Sequence, residues 1–209
     1  MKKHYEEHPW SIIEEGFHPD MQRSSESIFS LGNGRMGQRA NFEEDYSGET
    51  LQGNYVAGVY YPDKTRVGWW KNGYPEYFAK VLNAANWIGL CPSIEDQSLD
   101  LAKAKVSNFR RELNMQEGYI ERSFEAEMPN GAKLAVDAKR FLSMVDDEAA
   151  VIRYSIKPLN YDGKIKFRVY IDGDIINQDS NYDEKFWSEV EKEVRNDEAF
   201  ITLKTKKLD

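Results

Sequence analysis

The sequence predicts an all-β protein, a large antiparallel β-sandwich with one or two short helices, on three observations. Ile165, Phe167, Val169 and Ile171 alternate with Lys164, Lys166, Arg168 and Tyr170. That period of two marks a strand with one buried and one wet face. Just before it Ala150, Ile152, Tyr154 and Ile156 alternate likewise, and Asn160-Tyr161-Asp162-Gly163 between the runs has the composition of a hairpin turn. Phe124, Ala126 and Met128 alternate into Pro129-Asn130-Gly131, and Leu134, Val136 and Ala138 alternate out of it, a second hairpin. Strand pairs with one apolar face need a second layer to cover them, which predicts two sheets packed face to face.

The remaining elements follow in chain order. Residues 1–25, polar and carrying His4, His8, His18, Pro9 and Pro19, read as an N-terminal arm, with the sandwich over 26–209. The three histidines do not read as a metal site: only His4 and His8 are four apart, and Pro9 follows at once. Ile28 and Phe29 open a short strand that Gly32-Asn33-Gly34 turns, since Asn-Gly is the strongest short hairpin signal. Gly32, Gly34 and Gly37 also spell G-x-G-x-x-G, but no strand–helix alternation surrounds them, so nucleotide binding is rejected. Phe78, Val81 and Leu82 have helical spacing. Residues 98–118 suit a helix by Val106, Phe109 and Leu113, and a strand by Leu99 and Leu101. Residues 186–194 read either as a short helix or as a strand, and 200–205 as a strand. The sequence stops directly after it, as a chain cut from something longer would.

Composition excludes several function classes. A formal charge of −8 without a dense basic run argues against nucleic acid. No apolar run reaches the length of a membrane span, and MKKHYEEHPW has no apolar signal-peptide core. The lone cysteine, Cys91, leans toward a reducing compartment and predicts a cytoplasmic location. With no His after residue 18 to serve as its base, Cys91 reads as a buried, inert thiol rather than a nucleophile.

Trp69, Trp70 and Tyr74 are the carbohydrate-contact candidates. Sugar C–H faces stack on such rings, while Lys71 and Asn72 offer hydrogen bonds to hydroxyls. Packing of these rings onto a neighbouring domain is the competing reading and the favoured one. Two acidic groups, Asp172 with Asp174 and Glu43-Glu44-Asp45, could be imagined as a glycosidase pair. Such a pair must span a sugar-sized pocket, and strand-end acids usually serve turns or solvent. No catalytic residue, metal or cofactor is assigned to this chain.

Four stretches, ESIFSLGNGRMGQRANFEE, LNMQEGYIERSFEAEMPNG, Arg140-Phe141-Leu142-Ser143 followed by Asp146-Asp147, and YSIKPLNYDGKIKFRVYIDGDIIN, resemble the N-terminal domain of glycoside hydrolase family 65. That family includes maltose, trehalose and kojibiose phosphorylases and some hydrolases. GVYYPDK and GWWKNGYPEYFAKVLNA are most similar to the maltose-phosphorylase-like branch. The resemblance implies a sandwich of the galactose-mutarotase-like type, a supersandwich, followed in the family by a helical (α/α)6 barrel that holds the catalytic carboxylate and binds phosphate. It further implies that the intact protein cleaves an α-glucoside disaccharide with inversion, with phosphate as co-substrate in a phosphorylase. The expected partners are the barrel of the same chain, a second copy in a homodimer, and the disaccharide. A stand-alone carbohydrate-binding module is the alternative. A mutarotase-like enzyme ranks last, because the histidines all sit in the leading segment. A sandwich separated from its barrel is expected to expose an apolar patch and to self-associate through it.

Overall fold

The computed structural model describes residues 4–65, 72–178 and 184–207. The N-terminal part forms β1 (Tyr5–His8), β2 (Ser11–Glu15), a 3-10 turn (Pro19–Met21), helix α1 (Gln22–Ile28), β3 (Leu31–Gly32), β4 (Met36–Gln38) and β5 (Asn54–Val56). Then come β6 (Tyr60–Lys64), β7 (Tyr77–Val81), β8 (Asn86–Ile94), β9 (Gln97–Ser98), β10 (Lys105–Asn114) and β11 (Tyr119–Glu127). The last strands are β12 (Lys133–Leu142), β13 (Ala150–Pro158), β14 (Lys166–Asp172), β15 (Trp187–Arg195) and β16 (Glu198–Thr205).

One layer is an antiparallel sheet in the order β1-β2-β10-β11-β12-β13. Packed against it through the apolar core are the sheets β14-β8-β9 and β3-β4-β5, and the hairpins β6-β7 and β15-β16 meet at a separate cluster of Tyr61, Leu82 and Phe186. The hairpin expected around 129–131 forms as β11-β12, with Phe124 opposite Val136 and Ala126 opposite Leu134. Its turn needs the left-handed backbone that Gly131 adopts at φ 85°. Phe109, Phe124, Leu134 and Val136 of the six-stranded sheet bury against Ile94, Leu99, Leu101 and Phe42. Each such large side chain contributes about 1.5–3 kcal/mol. A second cluster joins Leu113, Ile120 and Leu142 to Phe29, Leu31 and Ala40.

Several expectations need correction. Residues 5–15 are not an arm: β1 and β2 form a hairpin whose second strand pairs with β10, Glu14 standing opposite Arg111. Ile28 and Phe29 end helix α1 rather than opening a strand, so the hairpin turned by 32–34 is β3-β4 alone. The helical spacing of Phe78, Val81 and Leu82 is overridden by pairing of β7 with β6. The ambiguous segments resolve as strands β10 and β15. In β10 a bulge after Ser107, with Asn108 at φ 52°, takes up one residue and leaves both Phe109 and Arg111 facing the interior.

The runs 150–156 and 165–171 are both strands but not each other's partners. β13 pairs with β12, and β14 crosses to pair with β8. The cause is Asn160. Its Oδ1 accepts from the Lys133 amide at 2.6 Å and its Nδ2 donates to the Gly131 carbonyl at 3.0 Å. The would-be turn is therefore fastened to the neighbouring β11-β12 turn, and the chain leaves toward the other layer.

Candidate functional site

Trp69 and Trp70 lie outside the described residues. Tyr74 is 61% exposed between β6 and β7, and Tyr77 and Phe78 of β7 are exposed beside it in sequence. The base of this hairpin is anchored. Tyr61, Leu82 and Phe186 form a buried cluster, and Lys80 meets Asp63 at 2.5 Å with its Nζ 5.0 Å from the Phe186 ring centroid. The Thr65 amide donates to the Glu76 carbonyl at 2.7 Å, closing the loop.

A buried charge layer, absent from the sequence reading, dominates the interior. Glu14, Arg111, Arg122, Ala138 and Tyr154 are successive register partners across β2, β10, β11, β12 and β13. Direct partners share a sheet face. These residues therefore form one row across the inner face, with Arg140 two residues further along β12. The row separates the two apolar clusters: Phe109 and Phe124 lie on one side, Leu113 and Ile120 on the other.

The 43–44 segment and helix α1 answer these charges, together with Glu14 of the sheet itself. Arg122 Nη2 donates to Glu43 at 2.5 Å and to Glu44 at 2.7 Å, and Arg140 Nη1 to Glu43 at 2.6 Å. Tyr154 Oη donates to Glu44 at 2.6 Å. Arg111 lies 3.2 Å from Glu14 and donates to Gln22 Oε1 at 2.9 Å. Glu26 accepts from the Leu51 amide at 2.8 Å and stands 3.8 Å from Arg39. Arginines 39, 111, 122 and 140 thus balance glutamates 14, 26, 43 and 44. The Arg111 guanidinium also sits 5.2–5.4 Å from the ring centroids of Phe29, Phe42 and Phe109.

The ion pairs of this layer clamp the six-stranded sheet to the 43–44 segment. Burial alone pushes the Glu43 carboxyl up, but Arg140 and Arg122 outweigh it and hold it below its ordinary value of 4.5. An inverting glycosidase needs a carboxylic acid kept protonated, the opposite setting. Burial, then the Glu44 charge, pushes the Tyr154 hydroxyl above its ordinary range, so it stays a donor. Burial draws the Arg111 guanidinium down to about 10, still charged at neutral pH.

The other sequence candidates are also committed elsewhere. Asp172 Oδ1 accepts from the Asp174 amide at 2.9 Å, and Asp174 is paired with Lys185. Cys91 is buried on β8, and burial raises its thiol pKa, as expected of an unreactive cysteine. His4 and His18 meet edge to face at 4.9 Å, so two of the three histidines do come together, across the β1-β2 hairpin. The signal that could have revealed the charge layer is in the strands: Arg111 lies between Phe109 and Leu113, and Arg122 between Ile120 and Phe124, each on an inward position of a period-two run.

Comparison with known proteins assigns the chain. The family model "Glycosyl hydrolase family 65, N-terminal domain" matches residues 12–209. A maltose phosphorylase of Bacillus subtilis (strain 168) is 43% identical over 196 residues, which is 94% of this chain and 26% of that protein. An α,α-trehalose phosphorylase of Thermoanaerobacter brockii is 32% identical over 95% of this chain and 27% of that protein. A solved structure described as "Putative kojibiose phosphorylase from human microbiome" superposes with a TM-score of 0.85 at 32% identity, covering 99% of this chain and 27% of that one. The chain therefore spans about a quarter of the length of these relatives, and it belongs to glycosyl hydrolase family 65 as an N-terminal domain of that family.

Proposed function

We propose that this chain is the non-catalytic N-terminal domain of a longer α-glucoside disaccharide phosphorylase of the maltose type. The observation that carries this reading is the 43% identity to a maltose phosphorylase, confined to a quarter of that protein. The interior supports it, because the buried glutamates are neutralised by arginines and offer no acid to a substrate. In the longer protein one carboxylic acid protonates the glycosidic oxygen while phosphate attacks the anomeric carbon from the opposite face, giving glucose 1-phosphate of inverted configuration. The acid and the residues that bind phosphate belong to the remaining part, a helical barrel. The present domain supports that barrel and contributes to a homodimer in the cytoplasm. The test is an assay of glucose 1-phosphate release from maltose and phosphate. The protein at the length of its relatives turns over and the 209-residue chain does not. Turnover by the short chain overturns the reading.

A second reading rests on Tyr74, Tyr77 and Phe78, three exposed aromatic side chains on one hairpin. They favour sugar contact by stacking, alone or at the rim of the longer protein's active site. Weak maltose binding by the 209-residue chain, lost in Tyr74→Ala with the fold intact, is the expected result. Flat titrations at high sugar concentration remove this reading.

A further inference from the structure

The turn joining β12 to β13 holds two apolar side chains out in solvent: Met144 is 76% exposed and Val145 fully so. This turn is tied down on every side. Ser143 Oγ accepts from the Val145 and Asp146 amides at 3.3 and 3.0 Å, and the Ser143 amide donates to the Ala149 carbonyl at 2.9 Å. Asn33, from the β3-β4 turn, donates through Nδ2 to the carbonyls of Ser143 at 2.7 Å and Asp147 at 3.0 Å. Arg35 pairs with Glu148 at 2.8 Å. Two turns from opposite layers are thus locked together, and the lock holds Met144 largely and Val145 wholly out in solvent.

An apolar cleft of about 330 Å³ opens at the same end of the sandwich. Leu142, two residues before Met144, lines it, as does Met36, whose amide donates to Asn33 Oδ1 at 2.7 Å. Trp87, Ile171 and Phe200 are among its other apolar walls. Tyr119, Phe141 and Val151 form a direct cross-strand row leading away from the turn on the outer sheet face, and Phe141 and Val151 are exposed. Asp146, Asp147 and Glu148 follow the apolar tip in sequence.

We propose that the 143–149 turn and this cleft form one docking surface for the portion of the longer chain lying outside these 209 residues. They receive an apolar segment of it flanked by Lys or Arg. The inference rests on the reading above, that the chain is a domain of a protein of its relatives' length. Three observations select that occupant. The relatives carry roughly three quarters of their length beyond the matched region. Asp146 and Asp147 beside the tip, Glu148 being paired with Arg35, favour a basic rim on the occupant. A rigid turn that displays apolar side chains is organised in advance for a partner.

Hydrogen exchange tests it, on the 209-residue chain and on the protein at its relatives' length, each with native sequence and as the Met144→Asp, Val145→Asp double variant. Both side chains stand in solvent, so the short chain melts at the same temperature with and without the change. In the long native protein the 143–149 amides exchange more slowly than in the short chain. The double variant speeds them by roughly tenfold or more, the effect of losing one or two buried apolar contacts. Equal exchange in short and long native chains, or a long chain indifferent to the double variant, overturns the proposal. Protection that grows with concentration in the short chain assigns the face to a second copy and overturns it too. Glucose 1-phosphate release by the long native protein is scored separately. Its absence removes the phosphorylase reading alone, and its presence with unprotected 143–149 amides removes the docking surface alone.

Discussion

Arg111 and Arg122 are direct register partners on β10 and β11, so two buried guanidiniums stand side by side on the inner sheet face. Like charges so placed repel, and the arrangement holds only because Glu14 lies beside one, Glu43 and Glu44 meet the other, and phenylalanine faces pack against both. The layer therefore couples the six-stranded sheet to the 40–44 segment of the opposite layer.

Removing one member leaves the others uncompensated. Arg122→Ala strands Glu43 and Glu44 in the interior and costs about 3–5 kcal/mol. For a chain of this size that lowers the melting temperature by roughly 10 °C. Arg110→Ala, at the position just before Arg111 on β10 and partly exposed to solvent, changes stability by about 1 kcal/mol or less. Calorimetry on both variants checks the contrast; equal small effects would show that the layer contributes nothing to stability.

The same layer fixes the pH dependence. The folded carboxyl of Glu43 is depressed, so its contribution is present above its unfolded value of 4.5 and is lost as pH falls through the folded one. The melting temperature should hold steady from neutral pH to about 5 and fall below that. Tyr154 acts at the other end. Its folded pKa is raised, so its contribution is present below the unfolded value of 10.0 and is lost as pH rises past it. Melting curves of Glu43→Gln and Tyr154→Phe check the two limbs, each variant flattening its own limb and not the other.

Strands were legible from alternation, although the apolar face of β14 expected to be buried leaves Phe167, Val169 and Ile171 exposed, and so was the β11-β12 hairpin, because Pro129-Asn130-Gly131 permits little else. Helix α1 was not. Its buried residues are Gln22, Ser25 and Glu26, facing Arg111 and Arg39, and a helix that buries polar groups carries no apolar stripe to read. The partner of β14 was not legible either, since it depends on where Asn160 places its two hydrogen bonds. The inward arginines break the apolar alternation only once per strand, and their acids arrive from distant segments. Periodicity therefore records them as interruptions rather than as a layer.

The crossing of β14 onto β8 depends on a close approach at Gly89. Tyr170 is its register partner, and a Cβ added there would lie 2.5 Å from the Tyr170 ring. Gly89→Ala should displace Tyr170 and loosen β14, raising exchange of the β14 amides while the β10–β12 amides stay protected. Pairing it with Tyr170→Ala restores the room and much of the protection. A single variant that leaves β14 protected would mean the ring has somewhere else to go.

β14 also determines how the isolated chain behaves in solution. Phe167, Val169 and Ile171 share one face, and Val169 is 71% exposed although it stands opposite Leu90 of β8. Among the described residues β14 pairs as a strand only with β8 and β13 only with β12, so each leaves a strand edge open. An apolar face bordered by open edges invites pairing with another chain. The 209-residue chain should self-associate with rising concentration in sedimentation velocity runs, and Val169→Lys should shift it toward monomer without lowering its melting temperature. Salt separates the apolar from the ionic cause. Association through this face persists or strengthens at high ionic strength, whereas contacts between the charged outer faces weaken. A chain that stays monomeric at high concentration, or one whose association ignores Val169→Lys, would show that this face is not where copies meet.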